Sequence, residues 1–175
     1  SHAFADACLY QIEFWSADDD GGISTADTAN VIIVGNADQV RTAGYWLHQY
    51  RQNGNTNFDV DELECLLAIA GYMSQVFNEE RDVSTIELAQ DVILVNQTSD
   101  MREILDRQLL AVWLNFANGS VEYDQLIDTD GDGTVDSLFA DAVAVAESVR
   151  LNPAATRNQL EEQKDILERI NHLDE

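Results

Sequence analysis

Basic residues are scarce in this chain. One Lys and eight Arg stand against 33 Asp plus Glu, for a formal charge of -24 and a sequence pI near 4.1. Neutralising a phosphate backbone takes clustered Lys and Arg, so a nucleic-acid partner is excluded, and docking on an anionic membrane surface is excluded by the same deficit. Long apolar runs are missing too. Val31-Ile32-Ile33-Val34 is typical of the longest, far short of the roughly 18 residues a spanning helix needs, so no membrane insertion is expected. Proline occurs once, at Pro153, and with three Trp and 45% apolar residues this argues against intrinsic disorder. Histidine is limited to His2, His48 and His172, none at metal-ligand spacing. There is no Gly-x-Ser-x-Gly elbow, phosphate-binding glycine loop or Cys-His signature, so the chain is read as no enzyme. Acidic pairs abound, and composition alone leaves a carboxylate-based hydrolase as an alternative.

What remains is one domain's worth of core-forming sequence carrying a large negative charge. At 175 residues the chain buries enough apolar surface to fold as a single domain over 1–175. Carboxylate self-repulsion destabilises the compact state unless a salty medium screens it or bound divalent cations neutralise part of it. No targeting signal is read, and Ser1-His2 fits either an expression scar or the start of a processed chain. Cys8 and Cys65 would tie the first helix to a central one in an oxidising compartment; otherwise they are small buried hydrophobes.

The dominant period is helical. Phe4, Cys8, Ile12 and Trp15 recur at three-to-four spacing, as do Val40, Tyr45 and Leu47-His48, then Leu63, Leu66, Leu67, Ala70 and Met73, then Ile86, Leu88, Ala89, Ile93 and Leu94. Residues 101–113 form the longest candidate, and two last helices are predicted over 137–150 and 154–172. Ser84 stands in capping-box spacing to Glu87, Ser99 precedes an acidic first turn, and Pro153 follows Asn152 where a helix should begin. With no alternating strand pattern read, the expectation is an all-α domain of about seven or eight helices. Arg102, Asp106 and Arg107 are read as pairing on a helix surface. Segments 16–22, 53–57 and 128–134 are polar and rich in Asp, Asn and Gly, which suggests EF-hand-like helix-loop-helix units.

The sharpest motif is Asp128-Thr129-Asp130-Gly131-Asp132-Gly133-Thr134-Val135-Asp136. Calcium takes six to eight oxygens, and a twelve-residue loop supplies them from positions 1, 3, 5, 7, 9 and 12, with glycine at 6 for the turn. Asp128, Asp130 and Asp132 fill 1, 3 and 5, Gly133 is the turn glycine, and Thr134 offers its carbonyl. Val135 is the apolar residue expected to pack beneath the loop, and Asp136 ligates through water. Position 12 is Phe139, which has no oxygen, so Asp141, Asp136 directly or a distant acid must complete the shell. The alternative is a solvated acidic turn capping a helix, but three carboxylates within five residues repel one another and suit a cation better.

Two further loops fit in part. In the segment 16–27, Ser16, Asp18, Asp20, Gly22 and Asp27 take positions 1, 3, 5, 7 and 12, with Gly21 at 6 and Ile23 at 8. Its other reading is an N-cap at Ser24 or Thr25. In 53–64 the turn glycine is missing, and Asp59 or Asp61 is more simply the N-cap of a helix beginning near Glu62.

The Ser24-Thr25-Ala26-Asp27 ending resembles dockerin calcium loops, which close with Asp. Gly44-Tyr45-Trp46-Leu47-His48 resembles the Gly-Tyr-Trp-Lys-x-His signature of bacterial and archaeal secreted modules of unassigned function, with Leu47 in place of the Lys and the His one position early. Arg107-Gln108-Leu109-Leu110-Ala111-Val112-Trp113-Leu114-Asn115-Phe116-Ala117-Asn118-Gly119 is similar to a helix ending of the same modules. The resemblance implies a secreted or cell-surface helical module without catalytic activity. From the residues themselves, Tyr45 and Trp46 read as core aromatics and His48 as a surface polar tip. Sequons at Asn96-Gln97-Thr98 and Asn118-Gly119-Ser120 permit glycosylation on export. The expectation is therefore a non-catalytic extracellular or cell-surface module that binds Ca2+ and engages a protein partner or itself, as a surface or filament subunit or in the manner of a dockerin.

Overall fold

The computed structural model describes residues 6–95 and 100–173. In chain order these form β1 (Cys8–Phe14), β2 (Asp27–Ile33), α1 (Ala43–Tyr50), α2 (Val60–Met73), α3 (Gln75–Glu79), α4 (Ile86–Ile93), α5 (Met101–Ala117), β3 (Leu126–Ile127), β4 (Ser137–Leu138), α6 (Phe139–Leu151) and α7 (Arg157–Ile170). The all-α expectation is overturned, because two antiparallel two-stranded sheets accompany the seven helices. The expected first helix is β1, paired with β2 so that Cys8, Tyr10 and Ile12 stand opposite Ile33, Val31 and Ala29. Positions 8 and 12 share a face at either helical or strand spacing. Tyr10 and Phe14 fill the alternate places that only a strand aligns. Phe4, His2, Ser99 and the Asn96 sequon lie outside the described residues.

The helix α5 is the axis of the molecule. Between Leu105 and Ala117 every residue except Arg107 is buried, and α1, α2, α4, α6 and α7 pack around it. A helix apolar on nearly all sides belongs in the interior, and the polar residues it carries inward are each hydrogen-bonded. Asn115 accepts from the Arg41 N–H at 2.9 Å and from the Trp46 indole at 3.3 Å, and donates to the Arg41 carbonyl and to Asn171. Asp106, fully buried, takes the Arg150 guanidinium side-on, Nε–Oδ1 2.5 Å and Nη2–Oδ2 2.9 Å, with Arg81 at 3.4 Å. This corrects the surface-pairing expectation: Asp106 pairs across helices, while Arg102 donates to the Arg150 and Asn152 carbonyls at the end of α6. Trp46 is buried and Tyr45 half-buried, while His48 is exposed.

Most helices start on a side-chain cap. Thr42, Asp59, Ser74, Thr85, Asp100 and Thr156 each accept from a first-turn N–H, and Asp59 with Glu62 closes a reciprocal capping box. The cap of α4 is Thr85 rather than Ser84, whose N–H is engaged by Asp82. Helix α6 has no side-chain cap; its leading N–H groups at Phe139 and Ala140 donate to the Gln125 and Tyr123 carbonyls, which ties the helix start to the chain before the acidic loop.

Among the described residues the β1–β2 ribbon is fastened to the core at its base. Leu9 and Ile32 pack on the core, Cys8 and Cys65 form a disulfide to α2, and the chain after β2 crosses the end of α5 through bonds from Gly35 N to Ala117 O and Ala37 N to Asn118 O. That crossing requires glycine. A Cβ on Gly119, whose φ is +81°, would lie 2.0 Å from the Gly35 oxygen. The disulfide joins a strand, not a helix, to α2.

Candidate metal centre

The loop 128–136 is a hairpin between β3 and β4, with Leu126 opposite Leu138 and Ile127 opposite Ser137, and it runs directly into α6. It is therefore bounded by short strands and not by two helices, which corrects the helix-loop-helix expectation. Its backbone is organised by its own carboxylates. Asp128 accepts from Gly131 N at 2.6 Å and Gly133 N at 2.7 Å, Asp130 from Asp132 N at 3.0 Å, and Asp132 from Thr134 N at 2.7 Å. Gly131 and Gly133 both have positive φ, +82° and +88°, the conformation that turns the chain around Asp128. The N–H groups of Gly131 and then Gly133 hold the Asp128 carboxyl below the usual carboxylate range.

The carboxylate oxygens of Asp128, Asp130 and Asp136 all lie within 4.8 Å of one another, with Asp128 half-buried and the other two exposed. Asp136 joins this group directly, held by the Thr129 N–H at 3.1 Å and hydroxyl at 2.8 Å. Of Asp136, Asp141 and a distant acid, the fold brings Asp136 beside Asp128 and Asp130. Asp132 and Asp141 fall outside the trio, and Asp141 sits exposed in the first turn of α6. Phe139, at position 12, is fully buried against Trp113 and Phe116, so the start of α6 is committed to the core. Val135 does not pack beneath the loop; it is 54% exposed, and the buried apolar support is Ile127.

A partner that sequence reasoning missed is Arg169 near the end of α7, whose guanidinium donates to the Thr129 carbonyl and couples the loop to the helix packed on α5 and α6. Forty residues separate the two, and no local pattern signals the contact.

Segment 16–27 is also a strand connection, not a helix-loop-helix. Asp18 accepts from Gly22 N at 2.6 Å while its N–H donates to the Gly22 carbonyl, Ser16 and Ser24 bond to one another, and an Ala17–Ile23 bridge extends the ribbon. Asp27 opens β2 opposite Phe14 and accepts from Thr28 N. Among the described residues no trio of carboxylates gathers here around Ser16, Asp18, Asp20, Gly22 and Asp27. Ile23 is 70% exposed rather than packed. In the segment 53–64, Asp59 and Glu62 serve as the capping box of α2.

The chain matches no protein-family model, no curated protein and no solved structure. Among the described residues no helix is long and apolar enough to cross a membrane.

Proposed function

We propose that the chain is a non-catalytic, calcium-stabilised interaction module of the extracellular space or cell surface. The observation that carries this reading is the convergence of Asp128, Asp130 and Asp136 within 4.8 Å on a loop whose turn is already set by bonds to the same carboxylates. A hard cation prefers such oxygens, and a loop that is ordered beforehand loses little entropy on binding it. The ion would cancel repulsion within the trio, with the Thr134 carbonyl and water completing the shell. Because Arg169 bridges the loop to α7 and Phe139 roots it in the core, loading would stiffen the junction of α5, α6 and α7. The Cys8–Cys65 bond favours an oxidising compartment, where calcium is abundant.

Calorimetric titration of the intact chain with calcium is expected to give saturable binding that disappears in Asp128→Asn and weakens in Asp136→Asn, with Asp141→Asn unchanged. Limited proteolysis is expected to slow on calcium addition. Absence of heat with the wild-type chain at millimolar calcium would sink the reading. Light scattering with calcium and after chelation separates the two forms of the module: cation-dependent growth marks a self-assembling subunit, a constant monomer a module for a different protein.

A further inference from the structure

The outer part of the β1–β2 ribbon is folded yet uncovered. All residues from Glu13 to Thr28 are exposed, including Phe14 at 50%, Trp15 at 60% and Ile23 at 70%. Their exposure is imposed by ordered backbone, since the Ser16–Ser24 bonds, the Ala17–Ile23 bridge and the Asp18–Gly22 turn carry the ladder to the tip. A shallow cleft of about 550 Å3 here is lined by Phe14, Trp15, Ser16 and the segment 24–27. Among the described residues β1 and β2 pair only with each other. Charge in this region has one sign. Residues 6–40 hold Asp6, Glu13, Asp18, Asp19, Asp20, Asp27 and Asp38, with no Lys or Arg.

We propose that this ribbon tip is a docking arm, and that its occupant is a segment of another protein bearing Arg or Lys beside aromatic or aliphatic side chains. The inference rests on the reading of the chain as an interaction module and names the surface and partner of that module. Exposed Trp and Phe are the side chains that anchor interfaces when desolvated, and the surrounding carboxylates select the charge of the rim. Charge complementarity decides between occupants: a second copy brings another acidic arm on a chain of net charge -24, whereas a basic-apolar segment is drawn to the carboxylates and covers the rings.

The test pans a phage-displayed random-peptide library on the full-length, disulfide-intact chain at about 0.15 M salt. Enriched peptides are expected to combine Arg or Lys with aromatic or aliphatic residues. Synthetic versions are expected to lose at least about tenfold in affinity for Trp15→Ser and Ile23→Ser, both exposed positions whose variants should melt as the wild type does. Peptides that bind wild type and Trp15→Ser alike place recognition elsewhere, overturning the arm while leaving an interaction module standing. Enrichment of nothing overturns the arm as well, and a flat calcium titration separately removes the reading beneath it. Dimerisation in sedimentation velocity that vanishes in Trp15→Ser makes the occupant a second copy and overturns the proposal.

Discussion

Asp106 and Asp128 show one residue type in opposite settings. Asp106 is buried with two guanidiniums against it, and removing a partner from a buried pair strands the remaining charge. Arg150→Met is expected to lower unfolding free energy in urea by about 3 kcal/mol, softened by Arg81 at 3.4 Å. A loss under about 1 kcal/mol would mean that Arg81 alone satisfies the carboxylate. Asp128 is half-buried in its loop, its carboxyl held below the ordinary range by the Gly131 and Gly133 N–H groups. A depressed folded-state pKa adds stability that is present above the unfolded value and lost as pH falls through the folded one. Without calcium, the Gly131 and Gly133 amide resonances are therefore expected to titrate with a midpoint below about pH 4, where a free Asp is half protonated. A midpoint at or above that value would show that the two bonds do not form in solution.

At the level of elements, the ribbon is the part that spacing misassigned. Cys8 and Ile12 satisfy a helix face and a strand face together, and a strand reveals itself only when its partner is known. Here the partner begins 13 residues past the end of β1, beyond an acidic turn read as a cation loop. The amphipathic helices were legible because their caps lie within a turn of their apolar residues, as with Asp59 and Glu62 ahead of Leu63 and Leu66. The ribbon has little core of its own, and the Cys8–Cys65 link closes a loop with a sequence separation of 57. In the chain-entropy picture such a link contributes about 4 kcal/mol. The Cys8→Ser, Cys65→Ser double variant is expected to lose stability of that order and to raise amide exchange in β1 and β2 while α5 stays protected. Equal exchange in the ribbon with and without the link would show that Leu9 and Ile32 suffice to seat it.

Across the whole molecule the net charge of -24 opposes compaction, with the shared core around α5 holding the elements together. Raising monovalent salt from 0.01 to 0.1 M shortens the screening length from about 30 to about 10 Å, so the melting temperature is expected to rise in differential scanning calorimetry. A fall would mean that favourable pairs, such as Arg150 with Asp106, outweigh the repulsion. Composition, the choice of Asp59 or Asp61 as the cap of α2 and the carboxylates of 128–136 were readable directly, because charge is additive and caps and loops are built from neighbours a few residues apart. The start of the last helix was not, since α7 begins at Arg157 behind the Thr156 cap and not at Ala154 after Pro153. Which carboxylate completes the trio, that Arg169 reaches the Thr129 carbonyl, that Arg150 meets Asp106, and that residues 13–28 stand clear of the body were decided only by the path of the chain. Those contacts join side chains tens of residues apart, and only packing around α5 sets their distances.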